Sequence, residues 1–190
     1  MPYAFLTGNK TNLRPVALTD VPLFTKWMND QETTKYMLRS FPLSELDEKG
    51  WIEKASIVQP NPTNILMVIE TKDDEKTIGT MALHNINWID RRATTGSMIG
   101  EAEYRGKGYA SDAKMILLKY AFETLGLHKI VSHAFARNQK SIEYSKRCGY
   151  QVEATLKDEH FRHGEWQDVV SLACFYDGWK KAQVQQQLKK

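Results

Sequence analysis

The chain has 190 residues, 42% hydrophobic and 26% charged, which is the balance of an ordinary folded domain and enough for one rather than two. Its 26 Lys and Arg against 23 Asp and Glu give a net charge of +3, too mild to argue for nucleic acid. Only Cys148 and Cys174 are present, so neither a disulfide framework nor a cysteine-rich metal site is expected. No run approaches the roughly 18 apolar residues of a membrane span, and MPYAFLTGNKTNLRP holds no apolar stretch of signal-peptide length. The expectation is one cytoplasmic domain over residues 1–190, without metal, membrane or nucleic-acid partners. Its basic end, 180–190 (KKAQVQQQLKK), reads as a frayed, solvated tail.

Helical signals come first. Asp20 is placed to cap a helix through Phe24, Trp27 and Met28. Ser44, with Asp47 three residues on, forms an imperfect capping box before Trp51, Ile52 and Ala55. The segment QPNPTN (Gln59 to Asn64) then breaks the pattern, and three strand-like runs follow: Ile65 to Glu70, Thr77 to Ile86 and Thr94 to Gly100. Short polar connections between them predict an antiparallel meander. From Ala110 to Leu125 the period changes: Ala113, Ile116, Leu117, Tyr120 and Ala121 recur at three- and four-residue steps, with Gly126 as the closing residue. Lys129 to Ala136 reads as a strand, and Ser141 to Arg147 as a helix closed by Gly149. Two last strands meet at the turn His163-Gly164. The sum is a mixed α/β domain with a β-α-β unit after a meander.

The stretch YRGKGYASDA, Tyr104 to Ala113, joins the third strand of the meander to the long helix. Free amides at a helix N-terminus bind phosphate, glycine lets backbone approach closely, and Arg105 and Lys107 add charge. A Walker loop is excluded, because the four residues between glycines and the Lys-Ser/Thr pair are missing. The dinucleotide fingerprint fails where Ser111 replaces its last glycine. A tight strand-to-helix turn with surface charges remains the alternative.

Arg105-Gly106-Lys107-Gly108-Tyr109-Ala110 fits R-x-x-G-x-A and resembles the acyl-CoA pyrophosphate loop of the general-control-related (GNAT) N-acetyltransferases. The resemblance runs over nearly the whole chain. LRPVALTDVPLFTKWMND is similar to the family's first strand and helix, and AFETLGLHKI to the end of its central helix and the next strand. Asn138-x-x-Ser141 followed by Cys148-Gly149-Tyr150 resembles its second CoA-contacting segment. RHGEWQDVVSLACFYDGW resembles the closing hairpin of the branch that acetylates ribosomal-protein N-termini and polyamines. The fold implied is an α/β one, a mostly antiparallel sheet splayed after its fourth strand, with helices on both faces. The resemblance implies acetyl-CoA as co-substrate. Met98, Ile99 and Gly100 would pair with the pantetheine, and the amides of Gly106 to Ala110 would hold the pyrophosphate. Asn138 would reach pantetheine or phosphate, a role compatible with an N-cap. A homodimer is a common arrangement in such families.

Direct transfer to an amine needs a neutral nucleophile, a donor for the oxyanion and a proton for the thiolate. Ile99 offers the donor amide. Many family members carry a tyrosine acid where this chain has Ser145; Tyr144 is one helical step, about 100°, away and reads as a core residue. Ser141 is the substitute that the ribosomal-protein branch implies. Thr94 stands where a glutamate base is common. His160, beside Glu159, falls where the branch carries another proposed base, and a structural histidine is the alternative. Neutralising a peptide α-amine at pH 7 requires roughly 1 kcal/mol against 4–5 for a lysine-type amine. With no strong base evident, a peptide or protein N-terminus is the favoured acceptor. A polyamine, amino sugar or antibiotic, or an acyl-CoA-binding module without turnover, stand as alternatives. Trp27, Asn29, Trp51 and His84 are candidates for the acceptor side, or for the core.

Overall fold

The computed structural model describes residues 3–38, 41–55 and 59–188. In chain order the elements are β1 (Leu6–Thr7), β2 (Thr11–Pro15), α1 (Val21–Asn29), α2 (Gln31–Thr34), α3 (Glu45–Ala55), β3 (Ile65–Thr71), β4 (Thr77–Asn87), β5 (Arg92–Ile99), α4 (Tyr109–Lys119), β6 (Lys129–Phe135), α5 (Gln139–Arg147), β7 (Gln151–Arg162), β8 (Glu165–Cys174) and α6 (Tyr176–Gln187). The strands form one sheet in the order β1-β2-β3-β4-β5-β6-β8-β7. Every neighbouring pair is antiparallel except β5–β6. The meander expected over 65–100 is β3-β4-β5.

The parallel pair is short. It runs through Arg92–Lys129, Ala93–Ile130 and Thr94–Val131, after which β6 continues only with β8. The sheet therefore opens after Thr94, as the family resemblance implies for its fourth strand, here the fifth. One face of the sheet is covered by a large apolar cluster that includes Leu117 and Leu118 near the end of α4, Ala121 in the π-helical turn Tyr120–Thr124 after it, Ile142 of α5 and Trp179 of α6. The other face carries Val21, Phe24 and Trp27 of the first helix, Ile52 of α3 and Val68 of β3.

Three local readings change. Asp20 precedes α1 but makes no side-chain cap. Its carboxylate instead takes a bidentate pair of bonds from Arg14 at 2.8 Å, and Glu70 takes the Arg14 Nε. Arg14 is 4% exposed, and a guanidinium that deep requires carboxylate partners. The helix α5 begins at Gln139, two residues before the sequence signal, because Asn138 is its cap. The tail expected to fray is helical through Gln187, with Trp179 at 0% exposure and Ala182 buried. The capping box does form: Asp47 N donates to Ser44 Oγ at 3.1 Å and Ser44 N to Asp47 Oδ2 at 3.2 Å.

Gly149 has φ 95°, and a Cβ there would stand 2.5 Å from the carbonyl of Gly178. It both closes α5 and lets α6 cross at backbone contact, so a side chain is excluded twice over.

Candidate active site

The opening between β5 and β6 is lined by backbone in a fixed alternation. Gly100 N donates to Ile78 O at 2.9 Å, which makes Met98, opposite Thr80, another residue that bonds to β4. The amides of Ser97 and Ile99 consequently point the other way, into the opening. Of the three residues expected to offer free backbone, Ile99 does so with its amide. Gly100 does not, because its N–H is already spent on β4, and Met98 packs its side chain against the Trp27 cluster. Ser97 is the residue the sequence reading missed; the strict two-residue period of the strand would have found it. Arg105 closes this end, its Nε donating to Ile99 O at 2.9 Å and its Nη2 to Gly100 O at 2.9 Å and Thr33 Oγ1 at 2.7 Å.

The loop that follows is built on two left-handed glycines, Gly106 at φ 74° and Gly108 at φ 90°. Gly108 is the N-cap of α4 and supplies no side-chain acceptor. The first helical bond is Asp112 N to Gly108 O at 3.0 Å, so the amides of Tyr109, Ala110 and Ser111 have no partner in the helix. Lys107 is exposed beside them. A second lysine arrives from elsewhere in the chain. The Asp112 carboxylate accepts from Asn9 N at 3.1 Å, Lys10 N at 2.9 Å and Thr11 N at 2.9 Å, which holds the β1–β2 turn against the helix start. Lys10 Nζ then reaches Lys107 O at 3.1 Å. Nothing local in the sequence marks Lys10, since a contact across about a hundred residues creates its position. The loop thus gathers unpartnered backbone amides and two ammonium groups, a combination able to hold an anion.

Asn138, at the end of β6, caps α5 by accepting from Ser141 N at 3.2 Å. Ser141 is half-buried in the first turn. Behind the opening lies a polar cluster. Tyr144 donates to Ala110 O at 3.2 Å and meets Ser97 Oγ at 3.3 Å. Tyr144, expected in the core, is half-buried and brings its hydroxyl to the opening. Tyr150 is 3% exposed and its hydroxyl meets Thr95 Oγ1 at 3.0 Å. Ser145, in the place of the family's tyrosine, is 1% exposed and accepts from Lys114 Nζ at 3.3 Å.

On the opposite face, Trp27 is buried over Gly100, where a Cβ would stand 2.0 Å from the indole, and its Nε1 donates to Glu101 at 2.9 Å. Asn29 clamps Leu43 through both backbone groups, and Trp51 is exposed on α3. His84 lies directly across from Thr94, and its ring packs on Gly96. Asn64 Oδ1 takes the amide of Asn85 and stands 3.3 Å from His84 Nδ1, so Nδ1 is the protonated nitrogen and Nε2 keeps its lone pair. Burial lowers its pKa, which keeps the ring neutral at pH 7. His160 lies on β7 with its ring edge-on to Phe135 at 6.0 Å. A cleft of about 530 Å³ opens between α1–α2 and the β7–β8 turn, with Asn29, Thr34, Lys35, Phe161, Arg162 and His163 on its walls.

Residues 10–151 match the acetyltransferase (GNAT) domain model. Among related proteins, the spermidine N(1)-acetyltransferase of Vibrio cholerae serotype O1 is 38% identical over 48% of this chain and 53% of its own length. YdaF of Bacillus subtilis (strain 168), provisionally named a ribosomal N-acetyltransferase, is 31% identical over 56% of this chain and 58% of its own. The chain thus spans between half and three-fifths of these two relatives. The crystal structure of the Vibrio cholerae spermidine N-acetyltransferase with CoA and spermine superposes with a TM-score of 0.82 at 26% identity, over 90% of this chain and 98% of that one. With the open β5 edge and the glycine-built cradle, the match establishes that the chain belongs to the GNAT acetyltransferase family.

Proposed function

We propose that the chain transfers an acetyl group from acetyl-CoA to a peptide or protein N-terminal α-amine, or to another amine of similarly low pKa. The pantetheine lies along Ser97 and Ile99, and the pyrophosphate on the amides of Tyr109 to Ser111 with Lys107 and Lys10. The observation that carries the acceptor class is the charge of the cleft. Its charged walls are Lys35, which pairs with Glu32 beside the cleft at 3.9 Å, and Arg162, with His163, and among its described lining residues none is acidic. A polycation is repelled there, while a peptide, which carries its one positive charge on the amine that reacts, is not.

The base fits the same acceptor. Thr94 cannot take a proton, but His84 opposite it presents a neutral Nε2 on this face of the strand, and it is better placed than His160, whose ring is turned onto Phe135. A neutral imidazole suffices for an α-amine and is too weak for a lysine-type amine. The spermidine-acetylating relatives favour a second reading, a polyamine acceptor. A single-tube competition separates them: equimolar Ser-starting peptide and spermidine with limiting acetyl-CoA at pH 7, products weighed by mass spectrometry. Acetyl-peptide in excess supports the proposal; acetylspermidine in excess overturns it.

A further inference from the structure

Lys114 is an anomaly in the core. It sits in the second turn of α4 at 1% exposure, and among the described residues no carboxylate pairs with it. Its Nζ lies 4.2 Å from the ring centroid of Tyr144 and 4.9 Å from that of Tyr150, and it donates to Ser145 Oγ at 3.3 Å. Two aromatic faces and one hydroxyl thus form a cage for an ammonium group. The two hydroxyls differ. That of Tyr150 is buried and fixed to Thr95, whose own hydroxyl donates to Val131 O at the point where the strands part. That of Tyr144 emerges one step further on, beside the exposed Ser97 and the first turn of α4. Ser145 cannot serve as the acid, because its hydroxyl is buried and engaged with the lysine.

We infer that Lys114 is a positioning residue for acetyl transfer: its cation holds the Tyr144 ring so that the phenol hydroxyl stands in the β5–β6 opening and protonates the departing thiolate. In that step the amine nitrogen bonds the acetyl carbon, the C–S bond breaks with its electron pair on sulfur, and Tyr144 gives sulfur its proton. The proton released by the nitrogen passes to His84 Nε2, and solvent returns a proton to the phenol. A cation beneath the ring also favours the phenolate so formed. This inference rests on the acetyl-transfer reading and on acetyl-CoA lying along β5.

The titratable groups facing the amine are Tyr144 of α5, Cys148 at its C-cap, Tyr150, and Cys174 of β8. Burial pushes Cys148 up to about 11, Cys174 up to about 12 and both tyrosines well above their usual value. Burial lowers Lys114 to about 8, so of this set only the lysine changes charge near pH 8.

The test uses Lys114→Met, Tyr144→Phe and the double variant, with acetyl-CoA affinity from calorimetry and kcat from thiol release on a Ser-starting peptide. Tyr144→Phe is expected to lower kcat about 100-fold, at the low end of general-acid contributions. Lys114→Met is expected to lower it about 10-fold with acetyl-CoA affinity within about twofold of wild type, and the double variant to match Tyr144→Phe alone, since the lysine acts through the tyrosine. Wild-type kcat should fall as pH rises through about 8, and Lys114→Met should lack that fall. Unchanged kcat in Lys114→Met, losses that multiply in the double variant, or a loss of acetyl-CoA affinity that accounts for the rate would overturn the inference alone. A wild type that binds acetyl-CoA without releasing thiol overturns the acetyl-transfer reading and this inference with it.

Discussion

Replacing Lys114 by methionine keeps an unbranched side chain, one atom shorter, and removes its charge, and the consequence for stability follows from the site. The amine is lowered by burial from 10.5 to about 8. Its folded form therefore binds fewer protons than its unfolded form between those values, and stability rises with pH across that window. Below pH 8 both forms are charged, and burying the ammonium costs roughly 3 kcal/mol at 1.36 kcal/mol per unit of pKa. Between pH 7 and 9.5 the wild type recovers about 2 kcal/mol of this, and the methionine variant has nothing to recover. The variant also leaves the buried Ser145 hydroxyl without its donor, a loss of about 1–3 kcal/mol that does not titrate. The pH dependence thus isolates the charge. Urea unfolding followed by tryptophan fluorescence at pH 7.0 and 9.5 measures it for both proteins. Parallel stability curves would refute the burial of an unpaired ammonium at this position.

Gly108→Glu places a carboxylate and a side chain at φ 90° in the anion cradle and should abolish acetyl-CoA binding by calorimetry in a variant shown by circular dichroism to be folded. Asn138→Ala removes the bond to Ser141 N and should lower stability by about 1 kcal/mol in urea unfolding while raising the KM for acetyl-CoA; a stability loss with unaltered KM leaves Asn138 only its cap. His84→Gln should lower kcat/KM about 100-fold at pH 6.5 and recover part of it above pH 8, where solvent deprotonates the acceptor, whereas His160→Ala should leave the pH profile in place; the reverse pattern moves the base to His160.

The strands and helices with strong periodicity were legible in the sequence: β3 to β5, β6 and β7 stand within two residues of where hydrophobic pattern and turn residues put them, α4 starts within one residue and its expected length to Leu125 is completed by a π-helical turn over Tyr120–Thr124, and β8 starts three residues early. Those that escaped owe their form to distant partners. The helix α6 is polar enough to read as a tail, yet Trp179 donates to Met115 O at 3.3 Å and anchors it. Asp20 looks like a cap until Arg14, buried six residues earlier, claims it. The cradle was legible because φ-positive glycines and a helix start are local. The polar cluster was not, because Lys114, Tyr144 and Tyr150 are meaningful only once α4 and α5 lie side by side. A lysine at an apolar position of an amphipathic pattern was the one trace of it.

Turnover itself is the most direct test. Thiol release from acetyl-CoA at pH 7, with a Ser-starting peptide as acceptor and Gly108→Glu as control, is predicted to yield one free thiol per acetylated peptide in the wild type and none in the variant. Tight acetyl-CoA binding with no thiol released on any amine offered would contradict the account and leave a binding module.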